Sequence, residues 1–131
     1  MEILNMNAKL TNLTYKFESI RDVQLKDKIE LKEINGKIFK IMISRNLYEK
    51  FGKGFEINIS MEVSALSANP FTIDEIKKAI MDKSSIIDFA YSKISLLIAE
   101  ITQMSFLGPI ITVPTFVRET VDFCISPEIK S

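Results

Sequence analysis

Apolar and polar residues alternate strictly over residues 55–64: Phe55, Ile57, Ile59, Met61 and Val63 are separated by Glu56, Asn58, Ser60, Glu62 and Ser64. A period of two predicts a strand with one covered face and one face open to water. The same period appears at Leu13, Tyr15 and Phe17, between Thr14, Lys16 and Glu18, and again where Ile29 and Leu31 alternate with Glu30 and Lys32. Asn35-Gly36 follows, a dipeptide that tolerates positive φ and favours a tight hairpin. It pairs residues 29–34 with residues 37–44, with Phe39, Ile41 and Ile43 on one face. Residues 46–54 read as a connection. Gly52, Lys53 and Gly54 lack the spacing of a phosphate loop and read as a flexible turn.

Beyond Asn69-Pro70 the period changes. Thr72-Ile73-Asp74-Glu75 is a capping box, flanked by Phe71 and Ile76 at the positions of a hydrophobic staple, and it predicts a helix over residues 73–81. Ser85 starts a second helix, with Asp88 in its first turn, where a carboxylate suits the helix dipole. On a wheel of about 100° per residue, Ile86, Ile87, Ala90, Tyr91, Ile94, Leu97, Ile98, Ile101 and Met104 form one broad apolar arc. Asp88, Ser92, Lys93, Ser95, Glu100, Thr102 and Gln103 lie opposite, with Phe89 and Leu96 set among them. Those two either widen the core stripe or form a second contact surface, a client site or a helix–helix oligomer interface; Phe89, Ser92, Lys93 and Leu96 are the candidate oligomer contact. Gly108-Pro109 stops the helix. Residues 105–114 are an apolar loop with two prolines, either packed on the core or lining a groove. Residues 115–124 are expected as a short terminal helix capped by Thr115, and residues 126–131 as a frayed end. The reading is one α+β domain over residues 1–131: a strand-rich half, then a helix-rich half.

Composition narrows the chemistry. The chain has 131 residues, 47% of them apolar, with 17 basic and 17 acidic side chains, no histidine and one cysteine. A chain of this length buries roughly two thirds of its unfolded surface and needs no disulfide or metal staple. Without histidine it lacks the commonest general base and zinc ligand, and a lone Cys124 makes neither a disulfide framework nor a metal cluster. The carboxylate pairs do not suggest catalysis: Asp74 and Glu75 serve helix capping, and Glu119 and Asp122 share a solvated face. No enzyme activity, cofactor or metal is expected. Lys26, Lys28, Lys32, Lys37 and Lys40 are interleaved with Asp27, Glu30 and Glu33, so no basic face for nucleic acid forms. Residues 86–104 carry Asp88, Lys93 and Glu100, each costly in lipid, and residues 1–10 lack a signal-peptide pattern. A cytoplasmic protein without membrane insertion is expected. Zero net charge gives little colloidal repulsion, which favours self-association.

Three stretches carry a resemblance: Ile87-Asp88-Phe89-Ala90-Tyr91-Ser92-Lys93-Ile94, then Phe106-Leu107-Gly108-Pro109, then Val113-Pro114-Thr115-Phe116. Together with the long strand before the helical half, they resemble the SecB protein-export chaperone family. Ala90 stands where that family usually has proline, and Lys93 where it usually has arginine. The resemblance implies a four-stranded antiparallel sheet with a long helix and short helices on one side, assembled as a homotetramer, a dimer of dimers. It implies ATP-independent holding of unfolded chains along apolar grooves, with the SecA export motor or an antitoxin client as further partners. Phe106, Leu107, Ile110, Ile111, Val113 and Phe116 are the candidate client-binding residues. Tyr91 and Met104 fit the core better. The alternative is an oligomeric interaction domain, of a phage or accessory type, that binds one folded partner.

Overall fold

The computed structural model describes residues 2–18, 22–51, 54–103 and 108–129. In chain order it contains β1 (Ile3–Phe17), β2 (Val23–Asn35), β3 (Ile38–Glu49), β4 (Phe55–Ser67), α1 (Ile73–Met81), α2 (Asp88–Thr102) and β5 (Asp122–Ile125). The strands form one sheet in the order β1-β4-β3-β2-β5. The first four strands are antiparallel neighbours, and β5 joins β2 in parallel. The fold class is α+β, but the sheet is mixed and five-stranded, not four-stranded and antiparallel.

The fifth strand replaces the expected terminal helix. A helix over residues 115–124 would need its own backbone groups for i to i−4 bonds. Instead the Thr115 carbonyl accepts from Arg45, the Val117 amide donates to Asp27, and a single turn follows, in which the Thr120 and Val121 amides donate to the Val117 carbonyl. Beyond it, the open edge of β2 offers a ladder: Phe123 sits opposite Ile29, Ile125 opposite Leu31, and the Ser126 amide donates to the Leu31 carbonyl at 2.9 Å. For so short a run, the waiting strand edge decides the outcome.

The hairpin forms between the expected strands but in a shifted register, with Ile34 opposite Phe39 rather than Lys37 and Ile29 opposite Ile43. Its turn is Gly36-Lys37, with positive φ (63°) at Gly36 and Asn35 still paired with Ile38. Positive φ at the first central residue alone is what a type II′ turn requires. The strands run further than the alternation suggested. Residues 46–49, read as connection, extend β3 because Leu47 continues the buried row and pairs with Leu25. β1 gains residues 3–12, which pair with β4 across a register shift between Leu10 and Asn12.

One face of the sheet carries the core. Ile29 and Leu31 of β2, Phe39, Ile41 and Ile43 of β3, and Ile57, Ile59 and Val63 of β4 are fully buried there. Ile76 and Ile80 of α1 and Ala90, Tyr91, Ile94 and Ile98 of α2 close over them. α1 begins as expected: the Glu75 amide donates to Thr72 Oγ1 and the Thr72 amide to Glu75 Oε1. α2 begins at Asp88, without a side-chain cap hydrogen bond at Ile87; upstream, Ser85 Oγ accepts from the Ile87 amide. No described helix is long and apolar enough to cross a membrane.

Candidate functional site

β3 alternates Ile41, Ile43, Arg45 and Leu47 toward the helices, so its pleat carries a guanidinium into the core. An unpaired charge there would cost several kcal/mol. Arg45 is instead fully buried against fully buried Asp27, its register partner on β2. Nε donates to Asp27 Oδ1 at 2.7 Å and Nη2 to Oδ2 at 2.8 Å, a two-point fork. Nη2 also donates to the Thr115 carbonyl at 2.7 Å. Nη1 is shared among Ser95 Oγ, Thr112 Oγ1 and the Val113 carbonyl, at 3.0, 3.0 and 2.6 Å. The Arg45 guanidinium lies 5.2 Å from the Tyr91 ring centre, a cation–π contact.

These bonds explain the path of the segment after α2, residues 108–121, which crosses the β2–β3 half of the structure as a strap. The Ile110 amide donates to Thr102 Oγ1 at 2.7 Å, fixing its start to the end of α2. Ser95 Oγ donates to the Val113 carbonyl at 2.7 Å and Ser92 Oγ to the Pro114 carbonyl at 3.1 Å. The Val117 amide donates to Asp27 Oδ2 at 2.9 Å. Arg118 reaches the Met81 and Asp82 carbonyls at the end of α1, and Lys26 the Thr120 carbonyl. The strap's polar groups therefore point inward, and two of its apolar side chains point out. Ile111 is 77% exposed and Val113 is 49% exposed.

The expected site residues divide. Ile111 and Val113 lie open, while Ile110 is half-buried against the core. Phe116 is corrected: it is 3% exposed and packs 5.8 Å from the Tyr91 ring, so it is a core residue, not a surface for clients. Phe106 and Leu107 lie outside the described residues, as does Met104. On α2, Leu96 is 60% exposed and Lys93 is exposed, with its ammonium 5.8 Å from the half-buried Phe89 ring. Ser92, expected as an oligomer contact, hydrogen-bonds the strap of its own chain. Thr102, expected on the polar arc, is buried because its hydroxyl donates to the Ile98 carbonyl and accepts from Ile110.

Two features are not apparent from local sequence. Asp27 reads as one of several solvated charges, yet it is buried; its place two residues before Ile29, on the same pleat, is the available signal. The other is β1. Leu10, Leu13, Tyr15 and Phe17 pair with Met61, Ile59, Ile57 and Phe55, all buried on the helix side. Directly opposed residues share a face, so this row belongs to the core side, yet Tyr15 is 60% exposed and Leu10 is also open. Among the described residues no strand pairs with the outer edge of β1, which leaves a row of main-chain donors and acceptors beside that apolar row. An open apolar cleft of about 760 Å³, lined by Ile34, Phe71, Ile73, Ile125 and Ile129 among others, lies near the end of β5.

Burial first, then the nearby Asp27 charge, push the Tyr91 phenol well above its usual range; its hydroxyl donates toward the Lys28 and Ser44 carbonyls at 3.1 and 3.2 Å. A raised value in the folded state means that this stabilisation is complete below the unfolded value near pH 10 and declines above it. Tyr91→Phe should therefore cost about 0.5–1.5 kcal/mol near neutral pH. The wild type's advantage should then shrink by about 1 kcal/mol between pH 10 and 11, because only the wild type has this phenol to ionise. Urea unfolding of both proteins across that range is the check; a constant difference would contradict it. Among the described residues no group of three or more His, Cys, Asp or Glu is placed to hold a metal ion.

No protein-family model matches the chain, and no curated protein matches it. Among solved structures, a protein of unknown function from Streptococcus agalactiae superposes with a TM-score of 0.47 at 10% identity, covering 86% of this chain and 98% of that one. The Mycobacterium tuberculosis Rv1957 SecB-like chaperone, solved in complex with a ChAD peptide from the Rv1956 HigA1 antitoxin, superposes with a TM-score of 0.49 at 15% identity, covering 86% and 84%.

Proposed function

We propose that this chain is an ATP-independent, non-catalytic holder of unfolded or non-native polypeptides, acting in the manner of a SecB-type chaperone. The observation that carries the reading is the strap. Its backbone is turned inward onto Arg45, Asp27, Ser92 and Ser95, while Ile111 and Val113 face water. Leu96, one helical turn beyond Ser92, extends the open apolar area along α2. A non-native chain exposes apolar side chains and unpaired backbone together. Apolar surface near the strap and α2 answers the first, and the unpaired edge of β1 answers the second by strand addition. The resemblance at residues 87–94 and 113–116 points the same way, and the export motor SecA and antitoxins are the partners it implies.

The test is light scattering from a chemically unfolded, aggregation-prone protein diluted into buffer with an equimolar amount of this chain. Suppressed scattering without nucleotide is the expected result; scattering at the level of an inert control protein would overturn the proposal. A second reading, an oligomeric domain with one folded partner, is favoured by the long free edge of β1, which suits pairing with one fixed strand. The breadth of captured substrates separates the two: several unrelated unfolded proteins for a holder, one folded partner for the alternative.

A further inference from the structure

We infer that the Arg45–Asp27 pair is the positioning device that keeps the apolar side chains of the strap turned outward; the inference rests on the holder reading just proposed. Between Thr112 and Val117 the strap belongs to no helix and no strand. Its polar groups are instead met by side chains: the Val113 and Thr115 carbonyls and the Thr112 hydroxyl by Arg45, the Val117 amide by Asp27, and the Pro114 carbonyl by Ser92. Pro114 has no amide hydrogen to offer a ladder. Buried backbone groups must be paired, so wherever Arg45 and Asp27 stand, the strap's backbone must face them. With the backbone facing in, Ile111 and Val113 are held on the outer side, against their preference for burial.

Arginine suits this task better than lysine. Six acceptors surround the Arg45 guanidinium: both Asp27 oxygens, Ser95 Oγ, Thr112 Oγ1 and the Val113 and Thr115 carbonyls. A planar fork with five N–H groups reaches both sides of that shell, whereas an ammonium offers three donors from one point. Arg45→Lys therefore keeps the charge opposite Asp27 and gives up part of the hold on the strap. The combined variant Arg45→Met with Asp27→Leu removes both charges at once, and replacing a buried pair by apolar side chains of similar size is often close to neutral for stability.

The experiment uses three variants of the full chain and two readouts: amide hydrogen exchange at Val117, Thr120 and Val121, the strap amides that donate to Asp27 and to the Val117 carbonyl, and suppression of scattering from the unfolded test protein. In Arg45→Lys and in the Arg45→Met/Asp27→Leu variant, strap amides should exchange at least about tenfold faster than in the wild type, as expected when their local protection is lost. The amount needed for half suppression should rise about tenfold, the loss of one apolar anchor's worth of binding. Should the combined variant not fold, Arg45→Lys carries the same test. A strap that exchanges faster yet holds substrate at the wild-type level would overturn the inference, and so would unchanged exchange in the Arg45 variants that fold. The third variant, Ile111→Asp with Val113→Asp, separates the two levels. Wild-type holding by it would overturn the strap as the binding surface and the inference with it. Loss of holding there, with holding retained in the Arg45 variants, would overturn the inference alone.

Discussion

Replacing Arg45 alone by methionine is expected to cost about 3–5 kcal/mol of folding stability, because it leaves the Asp27 carboxylate buried without its counter-charge. Asp27 has no access to solvent, and its remaining hydrogen bond in the structure is the one from the Val117 amide. The strap carbonyls of Val113 and Thr115 lose their shared donor in the same step. Against a typical total of about 5–15 kcal/mol for a single domain, this is a large fraction. The surface pair of exposed Lys9 and half-buried Glu62, at 3.8 Å, makes the contrast: breaking it should change stability by no more than about 1 kcal/mol. Urea unfolding followed by far-ultraviolet circular dichroism measures both. A loss under about 1 kcal/mol for Arg45→Met would show that the carboxylate finds another partner, and the mutual dependence of the pair would have to be abandoned.

Where local chemistry and tertiary packing agree, the sequence is readable. β4 alternates without interruption and lies between β1 and β3, so each apolar residue from Phe55 to Val63 is buried as its period demands. Thr72 and Glu75 make their capping box because both partners lie within one turn. β1 is harder to read, for a definite reason. Met6, Ala8 and Leu10 occupy even positions, Leu13, Tyr15 and Phe17 odd ones, and the register shift at Thr11 joins the two runs on one face. A bulge shifts the phase of a strand, so a single period shows only half of it. β2 does the same at Lys32, where Ile29 and Leu31 give way to Ile34.

The site is less legible than the fold. Its open residues Ile111 and Val113 are visible as apolar side chains in a proline-bearing loop, but composition cannot tell which way such side chains turn. That is decided by Arg45 and Asp27, some seventy and ninety residues upstream of the groups they bind. Charge taken along the chain misleads here: Asp27 sits between Lys26 and Lys28, whose side chains point to the opposite face from its own. Pairing two strands first and then asking which charges share the core face puts Asp27 and Arg45 together. Phe116 misleads in the same way, since an aromatic residue after Pro-Thr fits either an open groove or a place beside Tyr91, and only the fold chooses.

A second large loss separates stability from holding. Phe39→Ala is expected to lower stability by about 3–5 kcal/mol, the usual range when a fully buried phenylalanine is truncated and a cavity remains. Phe39 has no solvent exposure, lies between Ile34 and Ala65 in the ladder, and meets the half-buried Phe71 edge-on at 5.1 Å between ring centres. Phe71 precedes the Thr72 cap, so the ring pair ties the start of α1 to the sheet. Phe71→Ala removes the same aromatic contact from a half-buried position and should cost less, and in a double-mutant cycle the pair itself should account for about 0.5–1.5 kcal/mol. Neither substitution touches Arg45, Asp27 or the strap. At a temperature where the variant remains folded, Phe39→Ala should therefore suppress scattering as well as the wild type does, although it unfolds at a lower urea concentration. Arg45→Met, with a loss of stability of similar size, should also lose holding. If the two variants lose holding in parallel, global stability governs the activity and the orientation of the strap does not; if holding fails only in Arg45→Met, the outward placement of Ile111 and Val113 is what matters.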